Sequence, residues 1–393
     1  MHDTTGFKRR IDTYLRRLAD EEEAELLRVS SELAPLCAQL RSSLMSGKRL
    51  RAAFLYWGWR ACGQPDCDGV IKAAAAMELV HAAACTHDDI IDDSRLRHGL
   101  PTAHVAFAES AFAESAFTEN AFAENAFTKS QVGTSTDSGI GTGGGAGTGG
   151  REMTAGDPCG LRRGRSTALA MMLGDLLMGY AGQVFATCGL PGAYVARTVP
   201  LWSSLLRETV AGEFLEILRT GGVVPGVAES LEVARYKTAK YTVERPLHMG
   251  ATLGGASRGV LAAFTGYGLP LGEAFQLRDD LLGTFGDPAE TGKSNLDDLR
   301  DKKPTALLAL TVSLLSPDDR RLLAKTMAGP SLDESDAALV RELMEHSGAR
   351  RRTEEMIAER IARARAALDS VALPADARAA LGALAVSAAD RSL

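Results

Sequence analysis

From "FKRRIDTYLRRLADEEEAELLRV" onward, apolar residues recur at three- and four-residue spacing through most of the 393 residues. Alternating β-branched runs bounded by turn signals are scarce. A chain patterned this way buries helical stripes rather than strand faces, so the expected fold class is all-α, one large helical body. Helices are predicted at 7–28, 49–61, 68–94, 165–187, 193–219, 228–285, 304–315, 317–328, 333–347, 349–369 and 373–391. The long middle span is expected to break at Gly254-Gly255 and between Gly266 and Pro270.

The segment from 105 to about 160 does not follow this pattern. In "AFAESAFAESAFTENAFAENAFTKS", Phe107, Phe112, Phe117, Phe122 and Phe127 stand five apart, so successive rings turn by about 140° on a helix and share no face. "GTSTDSGIGTGGGAGTGG" follows, a composition whose ordering costs entropy with little burial in return. The segment reads as a tolerated surface insertion, with a partner-docking helix as the alternative. No other break in composition suggests a second domain, so residues 1–393 are read as one domain carrying that insertion.

The chain is 45% hydrophobic and 24% charged, which excludes disorder for most of its length. Its net charge of -6 gives no basic patch for nucleic acid, which is therefore not an expected partner. Six scattered cysteines without C-x-x-C spacing, and no charged-then-apolar leader, are expected of reduced thiols in a cytoplasmic protein. The longest apolar runs, such as "ALAMMLGDLL", fall short of the roughly 20 residues a membrane span requires, so no integral membrane protein is expected.

The residues that carry chemistry are acidic. "CTHDDIIDDSRLRHGLPTAH" places Asp88, Asp89, Asp92 and Asp93 within six positions, with Arg95, Arg97 and His98 just behind. On a helix, Asp88 and Asp92 lie one turn apart and point the same way, and Cys85, His81 and Glu78 extend that face. Like charges this close repel unless a cation lies between them, and hard oxygen ligands suit Mg²⁺. A solvated acidic helix end is the simpler reading. The mostly apolar stretch 75–91 favours instead carboxylates at the lip of a core.

A second acidic stretch, "FQLRDDLLGTFGDPAETGKSNLDDLRDKKPT", sets Asp279 and Asp280 at the end of another apolar helix, and two such ends suggest metals shared across a bundle cavity. No cationic side chain is expected among Asp88, Asp92 and Asp279 to balance their charge. Basic residues gather near by: Lys48, Arg49 and Arg51 in "SGKRLRA", Arg97, Lys237 in "RYKTAKY", then Lys293, Lys302 and Lys303. Singly each reads as a surface charge. Together with magnesium sites they describe pockets for diphosphate groups.

Across nearly its whole length outside the insertion, the chain resembles the trans-isoprenyl diphosphate synthases. Asp88-Asp89-Ile90-Ile91-Asp92 is similar to the first aspartate-rich motif of that family and Asp279-Asp280 in "FQLRDD" to the second, while "SGKRLR", "KTAKY" and "GKSNLDDLRDKKPT" fall in the family's order. The details look closest to geranylgeranyl-type synthases of actinobacteria. The resemblance implies an isoprenoid-synthase bundle around a central cavity, a homodimer, and magnesium-dependent condensation of isopentenyl diphosphate with allylic diphosphates.

It also implies roles. Asp88, Asp92 and Asp279 would bind three Mg²⁺ ions, with Asp89, Asp280 and Lys237 in the catalytic set. Arg97, Lys237, Thr238, Gln276, Lys293 and Lys303 would hold the allylic diphosphate, and Lys48, Arg51, His81 and His98 the isopentenyl diphosphate. Ala83 and Ala84 occupy positions where an aromatic residue shortens the family's product, which implies elongation to twenty carbons. Rival readings are a farnesyl or longer-chain synthase, a terpene cyclase on the same scaffold, and a non-catalytic subunit of a heteromeric synthase. Three positions depart from the family pattern: His98 stands where arginine is usual, Gly283 where the second motif has its last aspartate, and Glu213 in "AGEFLE" where glutamine is commoner.

Overall fold

A computed structural model describes residues 4–45, 47–110, 158–287, 295–329 and 332–389, and these are overwhelmingly helical. Helices α1 (Thr4–Val29), α2 (Ala34–Met45), α3 (Leu50–Arg60) and α4 (Asp68–Ile91) lead to a small antiparallel hairpin, β1 (Leu96–Arg97) and β2 (Leu100–Pro101). Helix α5 covers 103–110, and α6 (Pro158–Ala186) and α7 (Gly192–Arg219) follow. Next come α8 (Val227–Val233), a π-helical stretch (Ala234–Glu244), α9 (Arg245–Leu253) and α10 (Arg258–Phe285). The chain continues through α11 (Asp297–Arg300), α12 (Ala306–Leu314), α13 (Pro317–Met327), α14 (Glu334–His346), α15 (Ala349–Asp369) and α16 (Ala375–Ala389).

Helix α4 is apolar nearly all round, and a helix of that kind is stable only when neighbours cover it on most sides. Ile11 and Leu15 of α1, Leu40 and Leu44 of α2, Leu55 of α3, and Leu173 and Leu177 of α6 do so. Helix α10 joins two further clusters. Its Phe264, Tyr267 and Leu271 pack with Phe54, Leu247 and Leu368, and its Leu277 and Leu281 with Leu307, Val340 and Ile357. Burying α4 and α10 in this way fixes where their C-terminal ends lie, and both ends are acidic.

Several expectations need correction. Helix α2 was not predicted; its Pro35 lies in the first helical turn, where proline is tolerated. The predicted helix 68–94 stops at Ile91, where Asp93 turns the chain with φ 50° into the hairpin. The span 228–285 does break after Gly254, but α10 runs unbroken through Gly266–Pro270. There the glycines serve packing, since any side chain at Gly268 or Gly272 would collide with the backbone of the π-helical stretch.

The insertion is narrower than expected where it is described. Phe107 is buried in the main core, and a helix already runs from Pro158. Phe112, Phe117, Phe122 and Phe127 lie outside the described residues. Two helical spans, Asp68–Ile91 and Arg163–Ala186, are also long and apolar enough to cross a membrane, contrary to the reading of the apolar runs. Of these two, α4 spends its apolar surface mostly inside the protein.

Candidate active site

Carboxylates at the C-terminal end of a helix meet the negative pole of its dipole, so they need cations close by. Asp88 and Asp92 end α4, Asp279 and Asp280 lie in the last turns of α10, and the structure supplies those cations from three directions. The hairpin presents Arg97, whose Nε donates to both Asp89 oxygens at 2.8 and 3.0 Å while Nη2 reaches Asp88 Oδ2 at 3.0 Å. The π-helical stretch presents Lys237, 3.0 Å from Asp88 Oδ1. The segment after α11 presents Lys303, 2.5 Å from Asp92 Oδ2. The expectation that these acids have no cation among them is therefore wrong. Arg97 turns back onto them from just behind in sequence, and Lys237 and Lys303 reach them from far away.

The electrostatics follow. Burial alone would raise the Asp88 carboxyl, but Lys237, Arg97 and Lys303 overcome it and hold the group down at about 2. Burial opposes the charges of Lys237 and Lys303, yet the carboxylates around each keep its ammonium firmly protonated. Asp280 differs. It is buried, accepts from Gln276 Nε2 at 2.9 Å and from the Ala306 backbone at 3.3 Å, and is pushed up to about 8 by burial, with Asp298 and Asp279 adding repulsion. It thus ties α10 to α12 instead of facing the other acids openly.

Thr238 Oγ1 donates to Gln276 Oε1 at 2.5 Å, so two residues assigned to the allylic diphosphate are bonded to each other and, through Gln276, to Asp280. The Arg51 guanidinium lies 4.3 Å over the Tyr241 ring and donates to Thr242 Oγ1 at 3.0 Å, while its buried Nε has no hydrogen-bond partner among the described residues. The Tyr241 hydroxyl is 3.0 Å from His81 Nδ1, and Cys85 Sγ is 3.4 Å from the same nitrogen. Burial, with the charges of Arg51, Arg97 and His98, holds His81 well below its usual range, so the ring is neutral at pH 7. His98 itself sits in the hairpin turn with φ 52°.

Lys48 is exposed just before α3, whereas its neighbour Arg49 is buried and donates to Asp12 and the Leu44 carbonyl. Lys293 lies outside the described residues. Ala83 is fully buried, while Ala84, one turn before Asp88, is only partly so. Sequence reasoning missed Glu216 and Asp298 and left Glu213 uninterpreted. Glu213 Oε2 and Glu216 Oε1 lie 2.9 and 2.7 Å from Lys237 Nζ, and Asp298 lies 3.8 Å from Lys303. The available signal was a pair of acids at three-residue spacing on an otherwise apolar stretch of α7. Among the described residues no three acidic, histidine or cysteine side chains converge into a ready-made metal cluster, but magnesium is usually held by one or two carboxylates together with substrate phosphates.

The chain is 30% identical to a geranylgeranyl pyrophosphate synthase from Corynebacterium glutamicum, whose crystal structure is complexed with isoprenyl diphosphate and magnesium; the two superpose with a TM-score of 0.83 over 99% of this chain and all of that one. It is 28% identical to the geranylgeranyl diphosphate synthase of Mycobacterium tuberculosis over 84% of this chain and 77% of that protein. To that organism's (2E,6E)-farnesyl diphosphate synthase it is 27% identical over 78% and 68%. The sequence signature of the polyprenyl synthetases matches residues 34–130 and 156–345, and the acid-tipped helices and their cations lie within that match, so the chain belongs to the polyprenyl synthetase family of prenyltransferases.

Proposed function

We propose that this chain condenses isopentenyl diphosphate head to tail with allylic diphosphates and stops mainly at geranylgeranyl diphosphate. The observation that carries the reading is the meeting of Asp92 with Lys303, 211 positions apart, which brings the basic segment that follows the second acidic motif onto the first. The residues fit magnesium: Asp88 stays ionised, its oxygens are hard donors, and Lys237 and Lys303 are flexible point charges able to yield those oxygens to a divalent ion. When bound, magnesium would neutralise the charge that builds on the departing diphosphate.

The chain's own residues supply the remainder. Arg97, Lys237 and Lys303 exchange carboxylate partners for diphosphate oxygens, so the leaving group departs into fixed positive charge. Arg51, whose Nε has no partner among the described residues, and Lys48 hold the isopentenyl diphosphate, and neutral His81 offers it an N–H. Apolar helix walls keep water from the allylic cation until the isopentenyl double bond attacks it, and the tertiary cation so formed loses a proton to the released diphosphate to give the new double bond. A terpene cyclase would have no use for Lys48, Arg51 and His81. Incubating the purified protein with magnesium, labelled isopentenyl diphosphate and each allylic primer in turn tests this, and no incorporation with any primer would refute it.

We also propose a cytoplasmic homodimer, a single domain interrupted near 131–155. The family match skips that stretch, and Cys37, Cys62, Cys67, Cys85 and Cys188 are free thiols. A second copy would cover the outer face of α7, where Val210, Phe214, Ile217 and Leu218 are exposed beside a groove of about 610 Å³. Phe214→Asp should then leave a monomer in light scattering, and an unchanged mass would place the interface elsewhere.

A further inference from the structure

We propose that Glu213 is a positioning residue for Lys237, holding one of its N–H groups so that another stays aimed at the allylic diphosphate; the inference rests on the prenyl-transfer reading above. An ammonium has three donors. Here they meet three carboxylates, Asp88 Oδ1 at 3.0 Å, Glu213 Oε2 at 2.9 Å and Glu216 Oε1 at 2.7 Å. Two of those acceptors come from α7 and one from α4. When the Asp88 carboxylate turns to a divalent cation, the two α7 carboxylates remain, and the freed N–H points where Asp88 had been.

The scaffold supports this division. Gly212, next to Glu213, brings α7 into backbone contact with the π-helical stretch at Lys237 itself, since any Cβ at 212 would overlap the Lys237 amide. Glu213 therefore approaches Lys237 from a rigid base. Its other oxygen, Oε1, is buried with no hydrogen-bond partner among the described residues. An unmatched carboxylate oxygen is costly, and a pair kept only for stability would be expected to satisfy it. Glutamine at 213 would keep an acceptor for Lys237 and remove one negative charge from beside an anionic substrate.

The test compares Glu213→Ala, Glu213→Asp and Glu213→Gln with the full-length protein in magnesium. Steady-state constants for both substrates are read together with calorimetric binding of an allylic thiodiphosphate. Glu213→Ala should raise the allylic KM and the analogue's Kd about tenfold, the scale of one charge-assisted contact, and leave the isopentenyl KM unchanged. Glu213→Asp, too short by one methylene, should move the same way by less. Glu213→Gln should restore both constants to the wild-type values or below. Unchanged allylic constants in Glu213→Ala, an equal rise in both KM values, or no rescue by glutamine would each overturn the positioning role. If Glu213→Ala does not fold, the aspartate and glutamine variants decide the matter alone. Wild-type protein that fails to bind the analogue would instead overturn the prenyl-transfer reading, and the present inference with it.

Discussion

The Asp298 carboxylate stands in the space that Gly283 leaves open on α10: a Cβ at position 283 would overlap Asp298 Oδ2. Gly283 lies one turn beyond Asp279, where the sequence pattern leads one to expect another aspartate. The missing acid is thus matched by one delivered from α11, and Lys303 binds back to it, donating its backbone N–H to the Asp298 carbonyl at 3.0 Å. Restoring the usual residue should therefore harm the enzyme. Gly283→Asp is expected to turn the Asp298 carboxylate aside, adding a like charge beside it, and to lower turnover several-fold by drawing Lys303 away from Asp92, with the melting temperature little changed. Equal melting temperature with higher turnover would show that position 283 has room for its own carboxylate.

Magnesium dependence should be absolute for activity and slight for stability. With Lys237, Arg97 and Lys303 already balancing Asp88, Asp89 and Asp92, chelator leaves no uncompensated charge cluster to unfold the protein. Asp88→Ala is expected to lose at least two orders of magnitude in turnover, comparable to removing other preorganised electrostatic groups. Its thermal transition should stay within a few degrees of wild type. Measurable turnover in excess chelator would contradict the metal assignment.

The sequence made the fold class and the acidic motifs legible because helical periodicity and charge spacing are local properties. Asp88 and Asp92 share a face by arithmetic alone. What it could not convey was which cation meets which acid, since Lys303 reaches Asp92 across 211 positions and Lys237 reaches Asp88 across 149. Those pairings depend on tertiary packing. The hairpin carrying Arg97 was hidden for another reason: two-residue strands have no periodicity to detect. Glu213 looked anomalous until Gly212 was seen to bring it against Lys237.

Asp280 gives a pH signature in the metal-free protein. Its folded value of about 8 lies above the ordinary carboxyl value of 3.8, so the folded state binds this proton more tightly than the unfolded chain does. The stability linked to that proton is fully present below about pH 4 and is lost as pH rises through 8. In chelator, the wild-type melting temperature should fall between pH 5 and pH 8, and Asp280→Asn, which cannot ionise, should flatten this part of the curve. Parallel curves for the two proteins would mean that Asp280 is already ionised at pH 5.

Residues 111–157 should be dispensable for catalysis, whereas the wider span beginning at 106 should not be. Phe107 is buried against the main core and its loss would open a cavity. Just outside the narrower limits, His104 Nε2 and Arg163 Nη2 approach the same Asp93 carboxylate at 3.7 and 2.7 Å, so a short Gly-Ser linker can join the ends. The 111–157 deletion is expected to keep turnover within about twofold and the 106–158 deletion to melt several degrees lower. A folded 111–157 deletion with little activity would give the segment a catalytic part.

Product length should be set at Ala84 more than at Ala83. Both precede Asp88 by about one helical turn, and from sequence they were equivalent candidates. The structure separates them: Ala83 has no exposed surface and belongs to the main core, whereas Ala84 is partly exposed on the face that carries Asp88 and Asp92. A phenylalanine at 83 must push α4 away from its neighbours, an overpacking cost of about 1–3 kcal/mol that says nothing about the substrate. A phenylalanine at 84 would instead project from the face that carries Asp88 and Asp92, where a tail growing away from its diphosphate would run. Ala84→Phe is therefore expected to shift the main product from twenty carbons to fifteen with the melting temperature little changed, and Ala83→Phe to lower the melting temperature while the product stays long. Chromatography of the dephosphorylated products checks both. If the wild type yields mainly farnesol, or Ala84→Phe still makes geranylgeraniol, the end of the tail lies against another helix and α4 does not measure the chain.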